Sequence, residues 1–496
     1  MSLAFGTGGL RGIMGYEPNQ INEDVIKHVT HALAKVVFSY DFPKSVCISY
    51  DTRFNSKEYA NIVSEVLSTY GITVYSFDKP MPTPALSFMI RHKNLGWGVA
   101  ITASHNPQEY NGYKVYDHYG VQLTDKMAME IMEAMKECYK NDILDFKQSH
   151  KKDAIFLDPA PYFEQVINYV NKLNCQTNSI PIVYSALYGA GANAVPYALK
   201  ELGFDPICIQ QAPDGSFGGI KTPNPEEMIV YEKAIETAIK NEAKLILATD
   251  PDCDRVGVII KTKDGFLPMS GNQIGALLID YLAQTRGVNS GDTVISTIVS
   301  GLLGEKLADE YGLEFVRLLT GFKYIGEYAV QLPKDKQFFF GYEESYGFLA
   351  GDGVRDKDAV IASALIAKMT AYYDEKGLTL FDRFIELSEK HGYCLEKLHS
   401  ININSEEQNK IMQSLRNGIE IDGLINVEDY KEGIKSLPKA DVIKLYFENN
   451  SWAAFRPSGT EPKMKIYMGV KEDTYEKAEI SLDFLCKNML LLAKKL

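Results

Sequence analysis

The chain has 496 residues, 45% hydrophobic residues and a formal net charge of −13, and at roughly 150 residues per domain its length predicts three or four domains. The acidic balance argues against nucleic-acid and anionic-membrane partners, and it requires any site for an anionic substrate to be locally basic. No apolar run approaches the roughly 20 residues of a membrane span, and we see no basic-then-apolar pattern of a secretory leader. The seven cysteines form no Cys-x-x-Cys pair. We therefore expect a cytoplasmic protein.

The first part of the chain alternates between helical and extended patterns. A glycine-rich stretch, Gly6–Gly12, comes first, and it either approaches a phosphate with its backbone and Arg11 or forms a flexible terminal turn. Helical spacing and buried-strand runs then follow one another at residues 23–38, 46–50, 59–67, 72–77, from Pro82 onward and at 97–101. The last of these strands delivers Ser104.

The same order of elements recurs along the middle of the chain. Strand patterns lie at 182–184, 206–210, 245–248, 293–298, 315–318 and 338–340, with helical patterns at 189–202, 231–239, 274–282, 302–311 and 358–373. The final segment mixes helices at 406–419 and 475–496 with strands at 442–447, 452–455 and 464–468. We therefore predict an α/β fold of three successive, similar α/β domains with mixed, largely parallel sheets, followed by a C-terminal α+β domain. The predicted boundaries are 1–150, 151–265, 266–388 and 389–496.

Three aspartates follow a predicted strand at i, i+2 and i+4: Asp250, Asp252 and Asp254. Clustered carboxylates repel one another unless a cation holds them, and oxygen ligands in this number suit Mg²⁺ better than zinc. A solvated acidic turn and a weak calcium loop are the alternatives. Arg255 beside them either neutralises a phosphate or makes a plain salt bridge.

Two further loops carry polar groups. Arg456-Pro457-Ser458-Gly459-Thr460 combines a guanidinium, two hydroxyls and a glycine, which are the parts of a phosphate-binding loop, although a β-turn with a chance arginine has the same composition. Gly341–Ser345 ends an apolar strand with two glutamates and a serine, and carboxylates accept hydrogen bonds from sugar hydroxyls. A surface acidic turn is the commoner explanation of paired glutamates.

Ser104 lies in Thr102-Ala103-Ser104-His105-Asn106-Pro107. Adjacent serine and histidine resemble a nucleophile and its base, but no Gly-x-Ser-x-Gly elbow is present, so a serine hydrolase fits poorly. A serine that carries a phosphoryl group next to a metal accounts for the aspartates and the basic loops together.

Four of these motifs, Thr102–Pro107, Asp250–Arg255, Gly341–Ser345 and Arg456–Pro462, together resemble the α-D-phosphohexomutase superfamily. The resemblance covers nearly the whole chain and implies four domains around a central cleft. It also implies a phosphoglucomutase or phosphomannomutase activity, in which phosphoserine donates to a sugar hydroxyl and a bisphosphorylated sugar returns its other phosphate. Mg²⁺ is the implied cofactor, glucose 1,6-bisphosphate the implied activator and a small phosphosugar the implied partner.

The resemblance implies a role for each matched residue. Ser104 carries the phosphoryl group and completes a Mg²⁺ site with Asp250, Asp252 and Asp254, while Arg11 neutralises charge. His105 and Lys114 are the candidate acid–base groups, with Lys114 preferred. The implied substrate-binding residues are Arg255, Lys323, Glu343, Ser345, Arg456, Ser458, Gly459 and Thr460.

Two departures from the family pattern bear on the substrate. The Glu-Glu form of the sugar loop resembles glucose-preferring mutases and their phosphopentomutase relatives, so glucose is the expected sugar, with mannose or pentose phosphate as alternatives. Gly8 stands where many members carry serine, which leaves phosphate contacts there to the backbone and Arg11. An inactive sugar-phosphate-binding homologue and a metal-dependent phosphatase are the other possibilities.

Overall fold

Four β-sheets follow one another along the chain, each with its own helices. They are seen in a computed structural model that describes residues 5–6, 9–140, 153–175, 177–418, 420–434, 437–458 and 463–495. Among the helices of these residues, none is both long enough and apolar enough to cross a membrane.

The first unit contains Ser104 within residues Thr102–Pro107, which are called the serine loop below. Its strands are β1 (Phe5–Gly6), β2 (Gly9–Ile13), β3 (Ser45–Tyr50), β4 (Thr73–Ser76), β5 (Trp97–Ile101), β6 (Tyr110–Tyr116) and β7 (Ile155–Phe156), and its helices are α1 (Glu23–Ser39), α2 (Ser56–Thr69), α3 (Thr83–His92) and α4 (Asp125–Lys140). The strands pair in the order β1-β2-β6-β5-β3-β4-β7. Strand β5 pairs parallel to β3 and antiparallel to β6, and it is buried along its whole length.

The second unit contains the aspartate loop. It comprises α5 (Ala160–Asn171), β8 (Ile182–Ser185), α6 (Gly191–Glu201), β9 (Ile207–Ile209), α7 (Glu232–Lys240), β10 (Leu245–Thr249), β11 (Val256–Thr262) and β12 (Gly265–Met269). The sheet order is β12-β11-β10-β8-β9, with parallel pairs at β10·β8 and β8·β9 and antiparallel pairs elsewhere. The aspartates begin directly after β10.

The third unit contains the Gly341–Ser345 loop. It comprises α8 (Gly271–Thr285), β13 (Asp292–Thr297), α9 (Leu303–Tyr311), β14 (Glu314–Leu318), α10 (Phe322–Gln331), β15 (Gln337–Tyr342), β16 (Phe348–Ala350), α11 (Ala359–Asp374) and α12 (Leu380–His391). The order is β14-β13-β15-β16, in which the last pair is antiparallel and the others are parallel. Helix α8 begins where Ser270 and Gln273 form a capping box.

The fourth unit has a different architecture. It comprises β17 (Tyr393–Asn402), α13 (Ser405–Arg416), β18 (Leu424–Asp429), β19 (Ile443–Phe447), β20 (Trp452–Pro457), β21 (Lys463–Glu472) and α14 (Tyr475–Lys495). The strands pair in the order β17-β21-β20-β19-β18, and each pair is antiparallel.

The predicted fold class is confirmed: three α/β units with mixed sheets precede a fourth, antiparallel unit that also carries helices. One apolar core continues through all four units. Strand β7 follows residue 150 yet joins the first sheet, and β12 runs past residue 265 in the second. The domain boundaries stay predictions.

A lysine is buried where the fourth unit meets the third. Lys444 on β19 donates from Nζ to the carbonyl of Ile298 at 2.6 Å and lies 4.4 Å from the ring centroid of Trp452. Burial, and then the positive charge of Arg317, lowers the pKa of Lys444 to about 7. Folding therefore disfavours the charged form of this side chain.

This lysine should make stability depend on pH. Between about pH 7 and 10.5 the unfolded chain holds a proton that folded Lys444 has lost, so the free energy of unfolding should gain a component that rises with pH. Lys444→Met should lose that component, as measured by urea unfolding at pH 7, 8 and 9. The matched control is Lys410→Met, which replaces an exposed lysine of the same unit. Identical pH profiles for Lys444→Met and wild type would contradict this assignment.

Candidate active site

Ser104 lies three residues after the end of β5 and faces the aspartate loop of the second unit. Its Oγ donates to Oδ2 of Asp250 at 2.7 Å and lies 3.2 Å from Nδ1 of His105. The residue has φ +53°, in the left-handed region that only a few per cent of non-glycine residues adopt. The side chain is 3% exposed, so the loop presents the hydroxyl to the carboxylates rather than to bulk solvent.

Asp250, Asp252 and Asp254 form one buried group, in which one oxygen of each carboxylate lies within 4.8 Å of the others. The Oδ1 atoms of Asp252 and Asp254 have no hydrogen-bond partner among the described residues. Buried carboxylate oxygens without donors suit a hard divalent cation, which takes oxygen ligands. The donor set therefore fits a Mg²⁺-like ion.

Two lysines contact this group from the flanking units. Nζ of Lys114, on β6, lies 2.7 Å from Oδ2 of Asp252, and Nζ of Lys357 lies 3.1 Å from Oδ2 of Asp254. Burial is the largest single influence on Asp252 and opposes its charge, but Lys114, Asp250 and Lys357 together outweigh burial and lower the pKa of that carboxyl. Burial and the neighbouring carboxylates raise the pKa of Asp250. The lysines thus compensate part of the cluster's charge.

A polar cavity lies above the carboxylates, where loops of all four units meet. Among the described residues, six cationic side chains line it: Arg11, Lys114, Arg255, Lys357, Arg456 and Lys465. Three acidic side chains of the described residues line it as well: Asp254, Glu343 and Glu344. The chain as a whole is acidic, but the described residues of this cavity include more cations than carboxylates. The cavity is therefore the locally basic site that an anionic substrate requires.

The two glutamates of the third unit differ in their contacts. Oε1 of Glu343 accepts from the backbone N–H of Gly321 at 2.7 Å. Oε2 of Glu344 accepts from the hydroxyl of Thr297 at 3.1 Å. Burial and the adjacent Glu343 raise the pKa of Glu344 to about 7.

Of the two alternatives predicted for Arg255, the structure shows the salt bridge, and the contact with a phosphate stays a prediction. Its guanidinium pairs with Glu226 at 2.9 Å, and its backbone N–H donates to Oδ1 of Asp250 at 3.0 Å. The side chain also lines the cavity. The salt bridge therefore coexists with a position beside the carboxylates.

Most of the predicted site residues lie together. Those that line the cavity are Arg11, Ser104, His105, Lys114, Asp254, Arg255, Glu343, Ser345, Arg456 and Ser458. Lys323 is not among the described lining residues, because its ammonium donates to Asp125 at 2.6 Å. Gly459 and Thr460 lie outside the described residues.

Two lining lysines were missed by the sequence analysis. Lys357 belongs to Arg355–Asp358, a run of four consecutive charged residues that is buried. Lys465 lies on β21. Only the unusual density of charge in the first segment could have signalled a site.

In this four-unit α/β protein, one cleft brings together a buried serine, a carboxylate cluster and, among the described residues, six cations. Such a site suits an anionic, phosphate-bearing ligand. Sequence models of phosphoglucomutase/phosphomannomutase alpha/beta/alpha domains I, II and III match residues 2–142, 160–265 and 270–387. The chain belongs to this family, within the α-D-phosphohexomutase superfamily.

Similar proteins cover nearly all of the chain. A phosphoglucomutase of Staphylococcus haemolyticus is 37% identical, with 96% of this chain and 91% of that protein covered. The open form of parafusin, a phosphoglucomutase from Paramecium, has a TM-score of 0.77 at 17% identity and covers 99% of this chain and 95% of its own. Aspergillus fumigatus N-acetylphosphoglucosamine mutase, solved with GlcNAc-6P and magnesium, has a TM-score of 0.53 at 14% identity and covers 99% and 96%.

The pKa of Glu344 generates a test of the site's electrostatics. Between about pH 4.5 and 7 the folded side chain holds a proton that the unfolded chain has released, so its contribution to stability should fall as pH rises through this window. Glu344→Gln should therefore be more stable than wild type at pH 8 and similar to it at pH 4, as measured by urea unfolding. Glu236→Gln, at an exposed position on α7, is the control. An unchanged difference from wild type at the two pH values would contradict the prediction.

Proposed function

We propose that this protein is a phosphoglucomutase, an isomerase that interconverts glucose 1-phosphate and glucose 6-phosphate. The observation that carries the proposal is the 2.7 Å contact between Ser104 Oγ and the buried aspartate group, at the edge of a cleft lined by six cations. The curated relative at 37% identity, named phosphoglucomutase, supports glucose as the sugar.

Ser104 is the proposed carrier of the phosphoryl group. Phosphoserine 104 would donate its phosphoryl group to one sugar hydroxyl, which breaks the Oγ–P bond and forms a bisphosphorylated sugar. That intermediate turns around in the cleft and returns its other phosphate to Oγ. Because such transfer depends chiefly on positioning and charge neutralisation, Arg11 is proposed to neutralise charge on the transferring group.

Asp250, Asp252 and Asp254 are the proposed ligands of Mg²⁺, with an oxygen of phosphoserine 104. When bound, the ion would neutralise charge on the phosphoryl oxygens. The unpartnered Oδ1 atoms of Asp252 and Asp254 support this ligand set. The magnesium in the related A. fumigatus mutase supports the choice of metal.

One proton must leave the attacking hydroxyl and one must reach Oγ of Ser104. His105 and Lys114 are the proposed acid–base groups, since His105 Nδ1 lies 3.2 Å from Oγ and Lys114 lies among the aspartates. The second transfer runs through the same site in reverse, so a group that accepts a proton in one half returns it in the other.

The remaining lining residues are proposed to hold the sugar phosphate. Glu343 and Ser345 would bind sugar hydroxyls, because a carboxylate accepts what a hydroxyl donates. Arg456 and Ser458, with Gly459 and Thr460, would bind the phosphate that is not being transferred, and Arg255 would add positive charge. Lys323 keeps a proposed role in substrate binding only if it leaves Asp125.

Ser104→Ala should abolish the reaction. Without Oγ no phosphoserine forms, so kcat/KM for glucose 1-phosphate should fall by at least about 10⁴-fold, and intact-mass spectrometry should find no phosphate after treatment with glucose 1,6-bisphosphate. Ser388→Ala, at a buried serine of α12, is the control. Turnover retained in Ser104→Ala would disprove the phosphoserine route.

The choice of sugar has its own test. Wild type should give a higher kcat/KM with glucose 1-phosphate than with mannose or pentose phosphates.

Mg²⁺ should stabilise the folded protein. At about 100 times its dissociation constant, a ligand that binds only the folded state adds about 2.7 kcal/mol, which thermal unfolding detects against NaCl of equal ionic strength. Asp250→Asn should lose most of this gain, whereas Asp264→Asn, in the exposed β11–β12 turn, should keep it. Equal gains for Asp250→Asn and wild type would place the ion elsewhere.

A further inference from the structure

A fully buried arginine, Arg53, donates hydrogen bonds to the backbone of the serine loop. Arg53 follows β3, and its side chain has no solvent exposure. Its guanidinium donates to four backbone carbonyls of this loop and the start of β6: from Nη2 to Ser104 and to Asn106 (2.5 Å), and from Nη1 to Pro107 (2.7 Å) and Tyr110 (3.1 Å). Because buried carbonyls need donors, this side chain satisfies much of the loop's backbone.

The same arginine is linked to the other side of Ser104. Nε of Arg53 pairs with Oδ2 of Asp51 at 3.2 Å, and that oxygen accepts from the hydroxyl of Thr102 at 2.6 Å. The Thr102 hydroxyl in turn accepts from the backbone N–H of Ser104 at 2.8 Å. The Arg53–Asp51 pair therefore fixes both the N–H and the carbonyl of Ser104.

This double attachment matters because Ser104 is in a strained conformation. A non-glycine residue in the left-handed region is strained and persists only where its surroundings determine it. The guanidinium is also covered by the ring of Phe217 from the second unit, with 4.9 Å between Cζ and the ring centroid. The support thus lies between the unit that carries the serine and the unit that carries the aspartates.

We propose that Arg53 is a positioning residue for phosphoryl transfer: together with Asp51 and Thr102 it holds Ser104 in the conformation that directs Oγ to Asp250. The inference rests on the proposed function of Ser104. A lysine cannot replace the arginine, because it offers three donors from one point whereas the planar guanidinium offers five in a fork.

The test compares Arg53→Lys and Arg53→Ala with Arg383→Lys and Arg383→Ala. Arg383 pairs with buried Asp280 at 2.9 Å and does not line the cleft, so it matches the loss of a buried ion pair without touching the serine loop. Since small misplacement of a reacting group costs on the order of 100-fold in rate, Arg53→Ala should lose about that factor in kcat with little change in KM. The Arg383 variants should lose stability but keep kcat.

Two further measurements separate positioning from mere stability. Guanidinium, at concentrations that leave wild-type unfolding unchanged, should raise kcat of Arg53→Ala, whereas methylammonium should not. Amide exchange of residues 102–110 should quicken in Arg53→Lys relative to wild type. Wild-type kcat and exchange in Arg53→Lys would overturn the proposal, even if Arg53→Ala fails to fold.

The same experiments distinguish this proposal from the proposed function. Failure of wild type to take up phosphate from glucose 1,6-bisphosphate would refute the phosphoserine route, and amide exchange would still decide whether Arg53 holds the loop. Phosphate uptake by folded Arg53→Ala at the wild-type rate, with wild-type kcat, would refute the role of Arg53 alone.

Discussion

Three carboxylates lie within 4.8 Å of one another in the interior of this protein. Like charges repel strongly at this separation in a medium less polar than water, so the fold must place positive charge beside them. Lys114 supplies it from the first unit and Lys357 from the third. The carboxylate cluster therefore ties the second unit electrostatically to both neighbours, and the cleft forms where these three units are held together.

The run Arg355–Asp358 shows how closely the units depend on one another. The backbone N–H of Arg355 donates to Ser87 Oγ of the first unit at 2.9 Å. Asp356 and Asp358 accept from tyrosine hydroxyls of the first and second units at 2.7 and 2.8 Å. Asp356, Lys357 and Asp358 can be buried because each finds a partner on a different element. The guanidinium of Arg355 pairs instead with Asp352 in its own segment. These contacts fix the segment, and the segment places the ammonium of Lys357 beside Asp254.

The sequence predicts those strands and loops whose residues show a distinctive local pattern. Strand β5 and the loop after it were predictable because an apolar run and a proline bound Ser104, and the aspartate triplet was visible because its spacing is unusual. Strands β6 and β11 were missed, since polar site residues interrupt or flank their apolar runs. Arg53 could not be assigned a role, because its partners lie about fifty residues away and are backbone carbonyls, which leave no trace in the sequence.

The charge of the cleft suits the bisphosphorylated sugar of the proposed reaction, although the protein as a whole is acidic. The part of its lining that the structure describes carries six cations against three carboxylates, while each phosphate ester brings about −1.5 to −2 charges at pH 7. Arg456 and Lys465, which belong to the fourth unit, are two of those six cations. Without them the lining would hold four cations against three carboxylates and could neutralise little more than one phosphate charge. In the proposed reaction, the fourth unit therefore contributes two of the positive charges that would hold the second phosphate of the bisphosphorylated intermediate.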